Sequence, residues 1–326
     1  MIHPKPLEPG DTIGIISPAS PTENRSEVLR ATEWWHKKGY QVVVGKNVNK
    51  QRGFVTASEE DRAQDFNEMF ARDDVDAVFV TQGGYGSAQI IPLIDYDAVA
   101  SHPKILTGFS DITSLHLAIN KFSKLVTFHG PGAARFNAAE LTRYTERYFF
   151  KAVASIDPIG KIPLADKKKW LHTINPGVAE GDLIGGNLTL ICATMGTPYE
   201  IDTKDKILLI EDVDIEPWIF DHMLSHLRNA GKLKELAGVL ISECLNCVPF
   251  MQNPGYHVDI SLEDVLEYYF RPLGVPTLFG LPLGHTKDMA TLPLGVKVRL
   301  DATRKEFFVL ESGVRPLKAE IRSKED

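Results

Sequence analysis

From Asp11 onward, short runs of β-branched and apolar residues alternate with longer segments whose apolar positions recur every three to four residues. Thr12–Ile16 is followed by an amphipathic stretch over Arg25–Lys38, then Gln41–Val44, then a second amphipathic stretch over Glu59–Ala71. The alternation continues through Asp76–Val80, a glycine-rich turn, a helical pattern over Ala88–Leu93, the apolar run Lys104–Phe109, and a helical pattern from Asp111 to about Lys121. Strands separated by helices in this way imply βαβ units and a parallel, doubly wound sheet. The site of such a sheet lies beyond the carboxyl ends of its strands.

The pattern breaks between about Ile156 and Glu180, where Pro158-Ile-Gly160, Lys167-Lys-Lys169 and Pro176-Gly177 carry no period. Such text marks a domain junction. The second half opens with strand-like Ile207–Ile210 and a helix signalled by Pro217 near its start and Gly231 beyond its end. Val239–Ile241, a helix over Leu262–Tyr269, and the runs Thr277–Phe279, Val296–Leu300 and Phe307–Leu310 follow. The expected division is an α/β domain over 1–160, a linker over 161–179, a β-rich domain over 180–314 and a polar, frayed tail over 315–326. A chain of 326 residues exceeds the size at which one core keeps growing, which agrees with two domains.

Composition narrows the function classes. With 36 basic against 43 acidic residues, a net charge of −7 and no basic block, the chain lacks the footprint of a nucleic-acid binder. No stretch approaches about 18 uninterrupted apolar residues, so no membrane partner is expected. The N-terminus lacks the basic and apolar regions of a secretory signal, and three cysteines are too few and too odd for a disulfide framework. Both features point to the cytoplasm.

Ser110 stands where a strand-like run ends and a helical pattern begins, with Gly108 two residues earlier. A strand-to-helix turn of this kind exposes a serine hydroxyl at the sheet edge and aims the following N–H groups above it. Serine at that position also serves as a plain helix cap, and the G-x-S-x-G pattern is incomplete, with Ile112 at the second glycine position. Gln82-Gly-Gly-Tyr-Gly86 follows a strand and suits an oxyanion hole, a phosphate cradle or a tight turn; Gln89 takes the place of the third glycine of a dinucleotide fingerprint. His285 lies in the loop Gly280–Lys287, where a general base or a surface histidine fits equally. The acidic pair Glu211-Asp212 closes a strand and offers a carboxylate to orient a histidine. His222 and His226 share a helix face without the Glu of H-E-x-x-H, and Cys244-Leu-Asn-Cys247 lacks a second pair, so no metal and no cofactor is assigned.

Read in order, these segments resemble the L,D-carboxypeptidases, the murein tetrapeptide carboxypeptidase family of serine peptidases, which also includes microcin C immunity hydrolases. The likeness runs from Pro9-Gly-Asp-Thr-Ile-Gly-Ile-Ile-Ser-Pro18 through Gly83-Gly-Tyr-Gly86, Ile94-Asp95-Tyr96 and Gly108-Phe-Ser-Asp111 to Glu180-Gly-Asp-Leu-Ile-Gly-Gly-Asn187. It continues through Leu209-Ile-Glu-Asp212 and Gly284-His285 to Thr291-Leu-Pro-Leu-Gly295. The resemblance implies a class I glutamine amidotransferase-like N-terminal domain, a β-rich C-terminal domain and a homodimer. It implies a Ser110–His285–Glu211 triad with an oxyanion hole from the N–H groups of Asp111 and Gly84. The implied substrate is a small peptide, a muropeptide losing its terminal D-amino acid or a peptide-nucleotide antibiotic. The residues alone also allow a non-catalytic two-domain binder. The chain departs from murein-recycling relatives at Gln82 and Gln89, where those often carry arginine, which leaves Trp170, Arg135 and Lys287 as candidates for substrate contacts.

Overall fold

A computed structural model describes residues 1–137, 141–249 and 260–316 and contains two sheets. The first has six strands in the order Leu292–Leu294, Thr127–His129, Ile105–Gly108, Ala77–Val80, Thr12–Ile16, Gln41–Val44. All are parallel except Leu292–Leu294, which joins the edge antiparallel to Thr127–His129. The central strands Ala77–Val80 and Ile105–Gly108 are buried along their whole length, as continuous apolar runs covered on both faces must be. Helix Arg25–Lys37 starts at an Asn24–Glu27 capping box and turns Val28, Ala31 and Trp35 inward; Ser58 caps helix Glu59–Ala71 through the Asp61 N–H.

The second sheet has eight strands, in the order Gly160–Lys161, Glu306–Val309, Lys297–Asp301, Val178–Asn187, Ile207–Glu211, Gly238–Ser242, Thr277–Leu281, His172–Asn175. Its centre is parallel and its flanks are antiparallel. The fold is therefore an α/β region with a parallel sheet followed by a β-rich region, as the sequence pattern implies. The segment read as a linker over 161–179 supplies Lys161 of the edge strand Gly160–Lys161 and the whole of the other edge strand, His172–Asn175. The residues that made this text read as junction, Pro158, Lys167 to Lys169 and Pro176-Gly177, lie in the turns and connections flanking these short edge strands. Of the tail, Arg315 donates its N–H to the Pro4 carbonyl, and residues 317–326 lie outside the described residues.

Two features tie the halves together. Leu292–Leu294 comes from the second half yet completes the first sheet. Helix Thr113–Phe122, which follows Ser110, is buried continuously from Thr113 to Asn120, the mark of a helix enclosed on all sides. Its Thr113 Oγ1 accepts the Asn187 N–H at 3.0 Å, where the long strand of the second sheet ends. The carboxyl ends of both sheets are thereby brought against the same helix start.

Candidate active site

Ser110 sits immediately beyond strand Ile105–Gly108. Phe109 is extended, and Ser110 itself has φ +62°, a left-handed conformation that a non-glycine residue adopts only when its surroundings impose it. The turn is tight: a Cβ on Gly108 would lie 2.6 Å from Val80 Cγ2. Ser110 is not the helix cap. Phe109 and Ile112 occupy the cap positions of the two short helical segments, and the Ser110 hydroxyl points to His285.

His285 is carried by the loop after strand Thr277–Leu281, 175 residues further along the chain. Its Nε2 lies 3.0 Å from Ser110 Oγ and its Nδ1 lies 2.7 Å from Glu211 Oε2. Glu211 ends strand Ile207–Glu211 and is fully buried. A carboxylate can only accept, so Nδ1 carries the proton, and Nε2 is left with its lone pair to accept the Ser110 O–H. Burial alone would raise the Glu211 carboxyl, but the hydrogen bond and charge of His285, with His129 nearby, hold it below its ordinary value. The neighbouring Asp212 is spent differently: it accepts from Thr189 N, Thr189 Oγ1 and Asn187 Nδ2, and burial pushes its carboxyl up. Of the acidic pair, the structure brings only Glu211 to the histidine.

The His285 loop is held from both halves. Leu283 N–H donates to Ser242 Oγ, and the buried His129 donates from Nε2 to the Leu283 carbonyl at 2.6 Å. Arg135 donates to the carbonyls of Thr286 and Lys287 at 2.5 and 2.9 Å, and Met289 N–H donates to Thr145 Oγ1. The Phe109 ring packs 4.8 Å from the imidazole. Nothing in the sequence distinguished His129 as a member of this frame, and Gly284 entered only as part of the Gly284-His285 motif; a Cβ on Gly284 would lie 2.4 Å from Glu211 Oε2, so that position requires glycine for close approach.

The glycine turn lies directly over Ser110. A Cβ on Gly83 would be 2.8 Å from Ser110 Cβ and 3.2 Å from the Asp111 nitrogen, and Gly84 adopts φ +98° against Ser20. Asp111 Oδ2 accepts the Ser87 N–H, and Arg62, almost fully buried, donates to the carbonyls of Pro18 and Gly86, both at 2.7 Å, and to Gln89 Oε1 at 2.6 Å. Gln89 is thus turned into the fold. Gln82 donates to the Pro21 carbonyl and lines a cavity of about 520 Å³ together with Glu27, Thr81, Phe109, Arg135 and Lys287. Trp170 is exposed, with its ring edge-on to His172.

His222 and His226 are exposed on helix Pro217–Asn229. Cys244 and Cys247 are unpaired thiols in contact with each other, which raises the first well above its ordinary value and lowers the second. Among the described residues no group of three or more His, Cys, Asp or Glu side chains converges as a metal site would require. No helix among them is long and apolar enough to cross a membrane.

A serine, a histidine and a buried carboxylate in line at the carboxyl edge of a parallel sheet form an arrangement able to lift the serine proton, the constellation of a serine hydrolase. Residues 13–130 match the LD-carboxypeptidase N-terminal domain and residues 180–300 the LD-carboxypeptidase C-terminal domain. The chain is 38% identical over 315 residues to a probable murein peptide carboxypeptidase of Bacillus subtilis, covering 95% of each. In structure it is similar to a microcin C7 self-immunity protein (TM-score 0.87, 26% identity, 97% of this chain and 100% of the other). It is likewise similar to a muramoyltetrapeptide carboxypeptidase from Oxalobacter formigenes (TM-score 0.79, 26% identity, 94% and 100% covered). The chain belongs to the LD-carboxypeptidase family and is a serine carboxypeptidase, a hydrolase and not a non-catalytic binder.

Proposed function

We propose that this enzyme is an L,D-carboxypeptidase that removes the terminal D-amino acid from a murein tetrapeptide in cell-wall recycling, with Ser110 as nucleophile, His285 as base and Glu211 as its orienter. The observation that carries this reading is the bridge formed by His285, 3.0 Å from Ser110 Oγ and 2.7 Å from Glu211 Oε2. Ser110 Oγ attacks the scissile carbonyl while its proton passes to His285 Nε2. Glu211 keeps the imidazole in the Nδ1–H tautomer and offsets its positive charge. The oxyanion is received by the N–H groups of Asp111 and Gly84, each such donor contributing about 3 kcal/mol. His285 then protonates the departing amine and, neutral again, takes a proton from the water that attacks the acyl-enzyme and returns it to Ser110 Oγ as the acid leaves. The sparse, unpaired cysteines support placing this reaction in a reducing cytoplasm.

The likeness to the microcin C7 self-immunity protein supports a second reading, in which the same three residues cut a peptide-nucleotide. Incubation with L-Ala-D-Glu-meso-diaminopimelate-D-Ala and, separately, with processed microcin C distinguishes the two by mass spectrometry. Release of D-alanine from the tetrapeptide, lost by about 10⁴-fold or more in Ser110→Ala and in His285→Ala, is the expected result. Cleavage of microcin C alone would favour the second reading, and activity surviving both substitutions would refute the triad.

A further inference from the structure

We infer that Lys287 reads the free α-carboxylate of the residue that leaves, and so makes the enzyme an exopeptidase; this rests on the carboxypeptidase reading above. Gln82 and Gln89 carry no charge, and Gln89 is committed inward to Arg62. Recognition of the terminal carboxylate therefore falls to another group, and reaction geometry says where. The leaving amine takes its proton from His285 Nε2, so at that step its nitrogen lies within about 3 Å of the imidazole. The carboxylate carbon is two bonds from that nitrogen, about 2.5 Å away. The cation that binds it must stand beside the His285 loop.

Two cations, Arg135 and Lys287, line the 520 Å³ cavity whose wall includes Phe109, the residue before Ser110. Arg135 uses its guanidinium to hold the loop through the carbonyls of Thr286 and Lys287. Lys287 follows His285 by two residues, lines the cavity and enters no ion pair among the described residues. Glu27, fixed by its hydrogen bond from the Asn24 N–H, is the acidic group in the same lining and repels a carboxylate from its own side. The backbone of Lys287 is thus placed by Arg135 while its ammonium stays available, a division of labour between positioning and recognition.

The test compares the tetrapeptide ending in D-alanine with the same peptide ending in D-alaninamide, using the wild type, Lys287→Ala, Lys287→Arg and Arg135→Ala. A charge-assisted contact predicts that the wild type prefers the free acid by about 10- to 100-fold in kcat/KM. Lys287→Ala loses that preference, to within about threefold, by slowing on the acid and not on the amide. Lys287→Arg keeps it, and Arg135→Ala slows both peptides alike because it loosens the loop. Wild-type preference retained in Lys287→Ala, or equal loss on acid and amide, overturns the inference while leaving the carboxypeptidase reading intact. Failure of the wild type to release D-alanine or D-alaninamide from either peptide removes that reading and the inference with it.

Discussion

Gly284→Ala tests the site without altering any group that performs chemistry. The added methyl would lie 2.4 Å from Glu211 Oε2, the oxygen that accepts from His285 Nδ1, and 3.1 Å from Glu211 Cδ. Gly284 does not occupy the left-handed region, so the backbone tolerates alanine and the effect is one of contact alone. Neither side yields easily. The Glu211 side chain is 1% exposed, and Leu283, next to Gly284, is tied at N–H by Ser242 and at its carbonyl by His129. Forcing a methyl into such packing costs about 1–3 kcal/mol of stability. Displacing the carboxylate far enough to lose the Nδ1 bond removes the orientation of the imidazole, an effect worth up to about 10⁴ in kcat. The assay is D-alanine release from the proposed tetrapeptide substrate, run below the melting temperature measured for each variant in parallel. The expected result is kcat lower by at least about 10²-fold with KM little changed and a melting temperature down by a few degrees. A folded Gly284→Ala enzyme with kcat within about threefold of wild type would refute the claim that Glu211 must sit where it does.

Two other consequences concern the supports of the site. Arg62→Met leaves the carbonyls of Pro18, Ala57 and Gly86 without their donor and should destabilise the fold by about 2–4 kcal/mol, with kcat falling as the glycine turn over Ser110 shifts. Denaturant unfolding and D-alanine release check this, and an unchanged midpoint would show that the Arg62 network is dispensable. Burial lowers the His116 imidazole to about 3, so the folded protein leaves it neutral while the unfolded chain protonates it below its ordinary value of 6.5. The unfolded state then binds the extra proton, and stability present above pH 6.5 is lost as pH falls toward 3, by about 2 kcal/mol between pH 7 and pH 5. His116→Gln should flatten that slope by about one proton, and a slope equal to wild type would exclude His116 as its source.

How much of this was legible in the chain depends on whether a residue's role is local. The amphipathic helices Arg25–Lys37 and Glu59–Ala71, with their Asn24 and Ser58 caps, and the apolar strands ending at Val80 and Gly108 are dictated by periods and caps within a dozen residues. The strand Val178–Asn187, the longest of the second sheet, carries the motif Glu180–Asn187 yet shows no strand period, for the opposite reason. A Cβ at Gly185 would lie 2.1 Å from the Leu209 carbonyl oxygen and one at Gly186 2.6 Å from Thr113 Oγ1, so close packing against distant neighbours selects these glycines.

The same distinction governs the site. Ser110, His285 and Glu211 each announced themselves only as one option among bland ones, because a serine after a strand, a loop histidine and a strand-end acid are common. Their meeting across 74 and 175 residues of chain is a property of the fold. What a single sequence lacks most is the direction in which a side chain turns. Gln89 stands where a recognition residue was expected and instead receives a bond from Arg62, whereas Asp212, equivalent to Glu211 in text, faces Thr189 and Asn187. Since neighbouring residues on a strand point to opposite faces, one step in register decides which carboxylate meets the histidine. That choice is set by the packing of the two sheets against helix Thr113–Phe122, which makes the start of that helix, and not any one motif, the feature that assembles the site.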